Sequence, residues 1–115
     1  MTAIGGLQAF RSTGLKATAT DVKAAVRGRV RSIHVSNLDA AAAWVTFWDA
    51  AGQASVTVGT TTPLATFHVG ASLDKDVLLP EDGLGFNLGC VAAVTTTDGG
   101  AVAPTNGCAV TILYE

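Results

Sequence analysis

Between Arg29 and Asp49 apolar and polar residues alternate along the chain. Val45 and Phe47 fall on one side of an extended segment and Trp44, Thr46 and Trp48 on the other, which is the period of a β-strand. Val30, Ile33 and Val35 are spaced three and then two apart, as in a strand with one extra residue bulged near Arg31 and Ser32. Asn37, Leu38, Asp39 and the alanines after them supply a turn. The stretch therefore predicts an antiparallel pair with a buried inner face and an outer face that carries two indoles.

The same alternation extends in both directions. Leu15, Ala17 and Ala19 predict a short first strand, and Val22 to Val26 a second, since Gly28 follows too soon for a stable helix. Gln53 to Thr62 is a Thr, Ser and Gly-rich connection ended by Pro63, of the length a sandwich uses to cross between sheets. Leu64 to Val69 resumes the alternation, Asp74 to Asp76 reads as a polar turn, and Val77 to Leu79 is a short apolar run. Pro80 to Gly83 is the clearest turn signal in the chain. Leu84, Phe86 and Leu88 then alternate with Gly85, Asn87 and Gly89, leaving one side of that strand nearly bare. Val91 to Thr96 and Ala109 to Tyr114 are the last two strands, predicted as a hairpin around the loop Thr97 to Gly107. Short strands with turns between them and no amphipathic helix predict an all-β chain: a single antiparallel β-sandwich, jelly-roll-like, over residues 13–115.

Residues 1–12 lack this alternation and predict a short N-terminal arm. Ile4, Leu7 and Phe10 lie three apart within it. An unpartnered tail is usually more polar, so these three residues are expected to order against a neighbouring subunit or a partner. Deleting the arm is then expected to leave the thermal midpoint of the domain nearly unchanged.

Composition sharpens the picture. The 115 residues suffice for one core, charged residues are only 14%, and much of the 49% apolar share is alanine. So weakly charged a surface suits many copies packed side by side. A net charge of −2 gives no basic footprint for nucleic acid. No window approaches the roughly 20 apolar residues of a membrane helix, and the N-terminus has no signal-peptide pattern, so a soluble chain made in the cytoplasm is expected. In the predicted hairpin Cys90 and Cys108 lie at opposite ends, too far apart to be bridged, which predicts two free thiols acting as small apolar fillers.

Candidate chemistry is sparse. Asp74, Asp76, Glu81 and Asp82 match no established calcium loop, and Lys75 interrupts them. His34 and His68 fall on the polar faces of their strands with no third ligand. Serine, histidine and aspartate occur without a nucleophile turn, and no phosphate loop or dinucleotide fingerprint is present. Arg27, Arg29 and Arg31 alternate and could reach a phosphate or carboxylate; charge protecting an edge strand is the commoner use of such a run. No catalytic residue, metal or cofactor is assigned.

The succession Val22-Lys23, Gly28, Ile33 with Val35 and Asn37, Val45 with Phe47 and Asp49, Thr62-Pro63, Phe67 with Val69, Gly83 with Phe86 and Gly89, and Val110 with Ile112 and Tyr114 resembles a group of small β-sandwich structural proteins of tailed-bacteriophage virions. The resemblance runs from about Leu15 to the end and consists of strand and turn patterns. It implies a non-enzymatic virion component made in the host cytoplasm, foremost a decoration or cement protein on the head surface that stabilises capsomer contacts. It further implies binding to the major capsid protein or another virion protein, and a homo-oligomer with a trimer favoured. The alternatives are a fibre or spike-base protein, or a carbohydrate- or receptor-binding module in which Trp44 and Trp48 stack on sugar rings.

Trp44 and Trp48 are the sharpest candidates for an interface. Four residues apart on one strand face, they would sit roughly 13 Å apart. If exposed, they would form an apolar patch of the size that marks a partner site. The competing expectation is that the Arg29 to Asn37 strand or the Gln53 to Pro63 connection folds over them within the same chain.

Overall fold

The computed structural model describes residues 7–115. Among the described residues nine strands form two antiparallel sheets packed face to face, a β-sandwich. They are β1 (Gln8–Leu15), β2 (Thr20–Lys23), β3 (Gly28–Asn37), β4 (Ala43–Asp49), β5 (Ala65–Val69), β6 (Asp74–Val77), β7 (Leu84–Phe86), β8 (Cys90–Thr95) and β9 (Cys108–Tyr114). One sheet has the order β1-β9-β3-β6, with β7 also on β3, and the other has the order β2-β8-β4-β5. Only the β4–β5 and β6–β7 connections stay within a sheet; the others carry the chain across the core.

The alternation of β3 and β4 acts as expected at the level of faces. Val30, Ile33 and Val35 point inward from one sheet and Val45 and Phe47 from the other, all at 1% exposure or less. The expected bulge is present, as a register shift between Val30 and Ser32 against β9. Phe47 meets Phe67 edge to face at 5.9 Å, and full burial of such a ring contributes about 2 to 3 kcal/mol. Gly83 closes the Pro80 turn by donating its N–H to the Pro80 carbonyl at 2.8 Å, with φ at +75°.

Four expectations about connectivity need correction. β3 and β4 are not paired with each other: the turn after Asn37 carries the chain to the opposite sheet. β8 and β9 are likewise in different sheets, so the 97–107 loop is a crossover and not a hairpin turn. Cys90 and Cys108 are both free and buried, but on strands of different sheets. The connection from β4 to β5 does not cross, because these strands pair directly, with Trp44 opposite His68 and Phe47 opposite Ala65. Asp74 to Asp76 is strand, paired through Asp76 to His34 and Asp74 to Ser36. Its charges suit a strand at the edge of a sheet, where they discourage pairing with other chains.

Candidate functional site

The outer face of the β2-β8-β4-β5 sheet is where the sequence places its two indoles. The face assignment holds, yet the face is not open. Trp48 is 2% exposed and packs with Val91, Ala93 and Ala50 in a second apolar cluster, closed over by Val56 and Val58 from the β4–β5 connection and by Ala19. Its indole N–H donates to the Thr61 carbonyl at 2.9 Å. The connection is itself tied down: Gln53 N–H donates to the Asp21 carboxylate at 2.7 Å, and Asp21 N–H returns a bond to the Gln53 side chain at 3.3 Å. Thr57 and Thr61 bond across a single turn, Thr57 N–H to Thr61 Oγ1 at 2.8 Å and Thr61 N–H to the Thr57 carbonyl at 2.9 Å. Gly59, at φ +88°, lies against Ala101 of the β8–β9 crossover, which braces the connection from outside.

Trp48 is therefore a core residue, and its assignment as an interface anchor is corrected. Trp44 is half-buried and sets its ring edge to face on exposed His68, 5.0 Å between centroids. Thr46, between the two indoles, is buried, and its hydroxyl has no hydrogen-bond partner among the described residues. With one indole sealed, the pair cannot act as a stacking platform for sugar rings.

The N-terminal candidates separate in the same way. Ile4 lies outside the described residues. Leu7 is half-buried ahead of β1, while Phe10 stands opposite Ile112 and packs against the main core. The arm predicted for residues 1–12 is a strand of the sandwich from Gln8 onward, because β9 pairs with it from Gln8 through Ser12 before the register shifts. Phe10 thus belongs to the fold, not to a partner surface.

The remaining polar candidates settle into local pairs. His34 Nδ1 lies 2.6 Å from Asp76 Oδ1, both well exposed, and Ser36 Oγ donates to Asp74 Oδ1 at 2.6 Å. The serine is thus bonded to a different carboxylate from the one that holds the imidazole. No cluster of three or more metal-ligating side chains occurs among the described residues. Burial pushes the Cys90 thiol up to about 12, reinforced by Asp49, and the Cys108 thiol up to about 11, reinforced by Asp39. Both stay protonated and unreactive at neutral pH.

Sequence reasoning named the arginine run but not the space beside it, at the end of the sandwich where Asp49, next to Trp48, accepts the Asn87 N–H. A cleft of about 340 Å³ opens there, lined by Arg27, Gly28, Arg29, Gly85, Phe86 and Asn87. The readable signal was the glycine alternation of Gly85 and Gly89 beside the arginine run. Also underweighted were the loop aliphatics. Val26, Leu38, Leu64, Leu73, Leu78, Leu88 and Val102 stand at 40% exposure or more, Leu78 at 95%, and every one lies between strands.

No protein family, curated protein or solved structure matches this chain.

Proposed function

We propose that this chain is a non-enzymatic structural protein of a tailed-phage virion, a decoration protein that binds the head surface and stabilises capsomer contacts. The observation that carries the reading is the placement of the exposed aliphatic side chains. They occupy the connections between the strands, on a surface with few charges. Aliphatic loop tips on a rigid two-sheet body suit adhesion through buried area more than turnover of a substrate. The order β1-β9-β3-β6 against β2-β8-β4-β5 supports it further. We read that order as a jelly roll of two Greek keys, with β6 and β7 sharing the place beside β3, an architecture that viral capsid and lectin domains use. Fold alone does not assign function, so the loops carry more weight than the wiring.

On this reading the chain self-associates in a closed ring, a trimer foremost, and meets the major capsid protein through its loops. The test is direct. Purified protein mixed with expanded, undecorated heads of the encoding phage should co-sediment at saturable, stoichiometric copy number and raise the temperature at which the heads disrupt. No co-sedimentation, together with its absence from purified particles by mass spectrometry, would reject the reading.

A further inference from the structure

Arg27, Arg29 and Arg31 are not protecting an edge. β3 is an interior strand, with β9 on one side and β6 and β7 on the other. Arg31 Nε lies 3.2 Å from a Glu115 carboxylate oxygen. Arg29 gives one N–H to the Asp82 carbonyl at 3.1 Å, which fixes the side chain and leaves the rest of its donor fork free. Arg27 has no hydrogen bond or ion pair among the described residues and lines the cleft beside Arg29. Directly opposite Arg29 across the strand pair stands Gly85, where a Cβ would meet nothing within 4 Å. Arg29 thus faces a bare wall, and Arg27 lines the same cleft.

Exposed aliphatic side chains adjoin the lining residues along the chain. Val26, next to Arg27, is 50% exposed, and Leu88, next to Asn87, is 57% exposed. Leu88 is held in place, because its N–H donates to Asp49 Oδ1 at 2.8 Å while Asn87 N–H spans both carboxylate oxygens at 3.0 Å. That preorganisation reduces the ordering cost of binding. A free anion has no use for aliphatic neighbours, and an exposed guanidinium alone holds it by no more than about 1 kcal/mol. A carboxylate flanked by aliphatic side chains would use both features, bidentate on the arginines and buried against Val26 and Leu88.

We propose that this cleft is a docking site for a protein segment that presents a carboxylate beside aliphatic side chains. The inference deepens the reading of the chain as a docking protein and rests on it only for the partner's identity. Its test therefore uses the isolated full chain, so that peptide binding and head binding can fail separately.

The probe is an acetylated and amidated Leu-Glu-Leu peptide, whose only charge is the glutamate, titrated at fixed ionic strength while the backbone amides of Gly28, Gly85, Asn87 and Leu88 are followed by NMR. Saturable shifts confined to these amides are expected. The Leu-Gln-Leu peptide should bind at least about tenfold more weakly, as should the Arg27→Ala variant, and inorganic phosphate should give no saturable shift. Gly85→Glu, which adds a carboxylate opposite Arg29 at a position with room for it, should abolish peptide binding while the remaining amides keep their positions. Equal binding of the two peptides, no saturable shift with the glutamate peptide, or unchanged binding by Gly85→Glu would overturn the proposal. Saturable phosphate shifts at the same amides would replace it with a simple anion site.

Discussion

Trp48 and Thr61 are joined by a hydrogen bond of 2.9 Å from the indole N–H to the backbone carbonyl, and this bond fastens the β4–β5 connection onto the sheet it roofs. The ring supplies apolar area to Val91 and Ala93 beneath and to Val56 and Val58 above. The bond satisfies an indole N–H that burial would otherwise leave without a partner. Trp48→Ala should therefore destabilise the isolated chain by about 3 to 5 kcal/mol. Trp48→Phe should cost less, because the roof keeps an aromatic ring and loses chiefly the bond. Trp44→Ala, at a half-buried position, should cost under about 2 kcal/mol. Urea denaturation of the three variants checks the ranking, and a neutral Trp48→Ala would mean that the connection does not hold the indole in solution.

Removing residues 1–12 should lower the thermal midpoint by roughly 10 °C or more. The deletion takes away the pairing of Gln8 to Ser12 with β9 and the packing of Phe10 on the core, together worth several kcal/mol. A loss of 1 kcal/mol shifts the midpoint of a chain near this size by about 4 to 8 °C. The cut also turns β9 into an unprotected edge, so aggregation should accompany the loss. Calorimetry showing an unchanged midpoint would restore residues 8–12 to the role of an arm.

The faces of this sandwich were legible in its sequence and the pairings were not, for a physical reason. Alternation at Val45 and Phe47 states which side is buried, but it is the same whether the next strand pairs beside it or lies in the opposite sheet. The five residues after Asn37 fit either outcome. β1 was missed because its inner positions, Gln8, Phe10 and Ser12, include a single large apolar side chain, too few to announce a strand. The roof over Trp48 did leave a trace. Cys90 to Val94 is apolar at both parities, and all six residues of β8 are buried; an antiparallel strand with one wet face would have alternated. Since Val91 lies opposite Trp48, that run already implied a covered face. At the candidate site, the arginine run was visible, whereas the bare wall at Gly85 depended on a pairing that only the fold supplies.

Asn37 links three segments at the far end of the sandwich and should be among the costliest polar residues to replace. Its side-chain amide donates to the carbonyls of Ala41 and Gly70 at 3.0 Å and of Val69 at 3.4 Å, and its oxygen accepts the Asp39 N–H at 3.0 Å. At 3% exposure no water replaces these partners. Asn37→Ala should cost about 2 to 4 kcal/mol, from unpaired backbone groups more than from lost volume. Asn37→Asp should cost at least as much, since a carboxylate aimed at the same carbonyls has no N–H to give. Denaturation midpoints for the pair decide the matter: an Asn37→Asp chain as stable as the parent would contradict the donor role.

Stability should fall with rising pH above about 9, and the two thiols should account for part of the fall. Cys90 and Cys108 have no exposed surface. Burial first, with Asp49 and Asp39 second, raises their pKa values from 9.0 to about 12 and about 11. In the unfolded chain both ionise from about pH 9, while in the folded chain they hold their protons. Between those limits the unfolded state binds fewer protons, so each thiol lowers the unfolding free energy by about 1.4 kcal/mol per pH unit. The stabilisation is whole below pH 9 and is lost as pH rises through the folded values. The informative quantity is a difference of slopes, which isolates the thiols from every other group. Unfolding free energies from urea at about pH 8 and about pH 10 should drop more steeply in the parent than in a Cys90→Ala, Cys108→Ala double variant, whatever the absolute stability of the variant. Below pH 9 a thiol-specific reagent should label the parent no faster than the chain unfolds. Equal slopes with and without the cysteines, or rapid labelling of the folded chain, would show that the thiols are solvated and that the core around them is open.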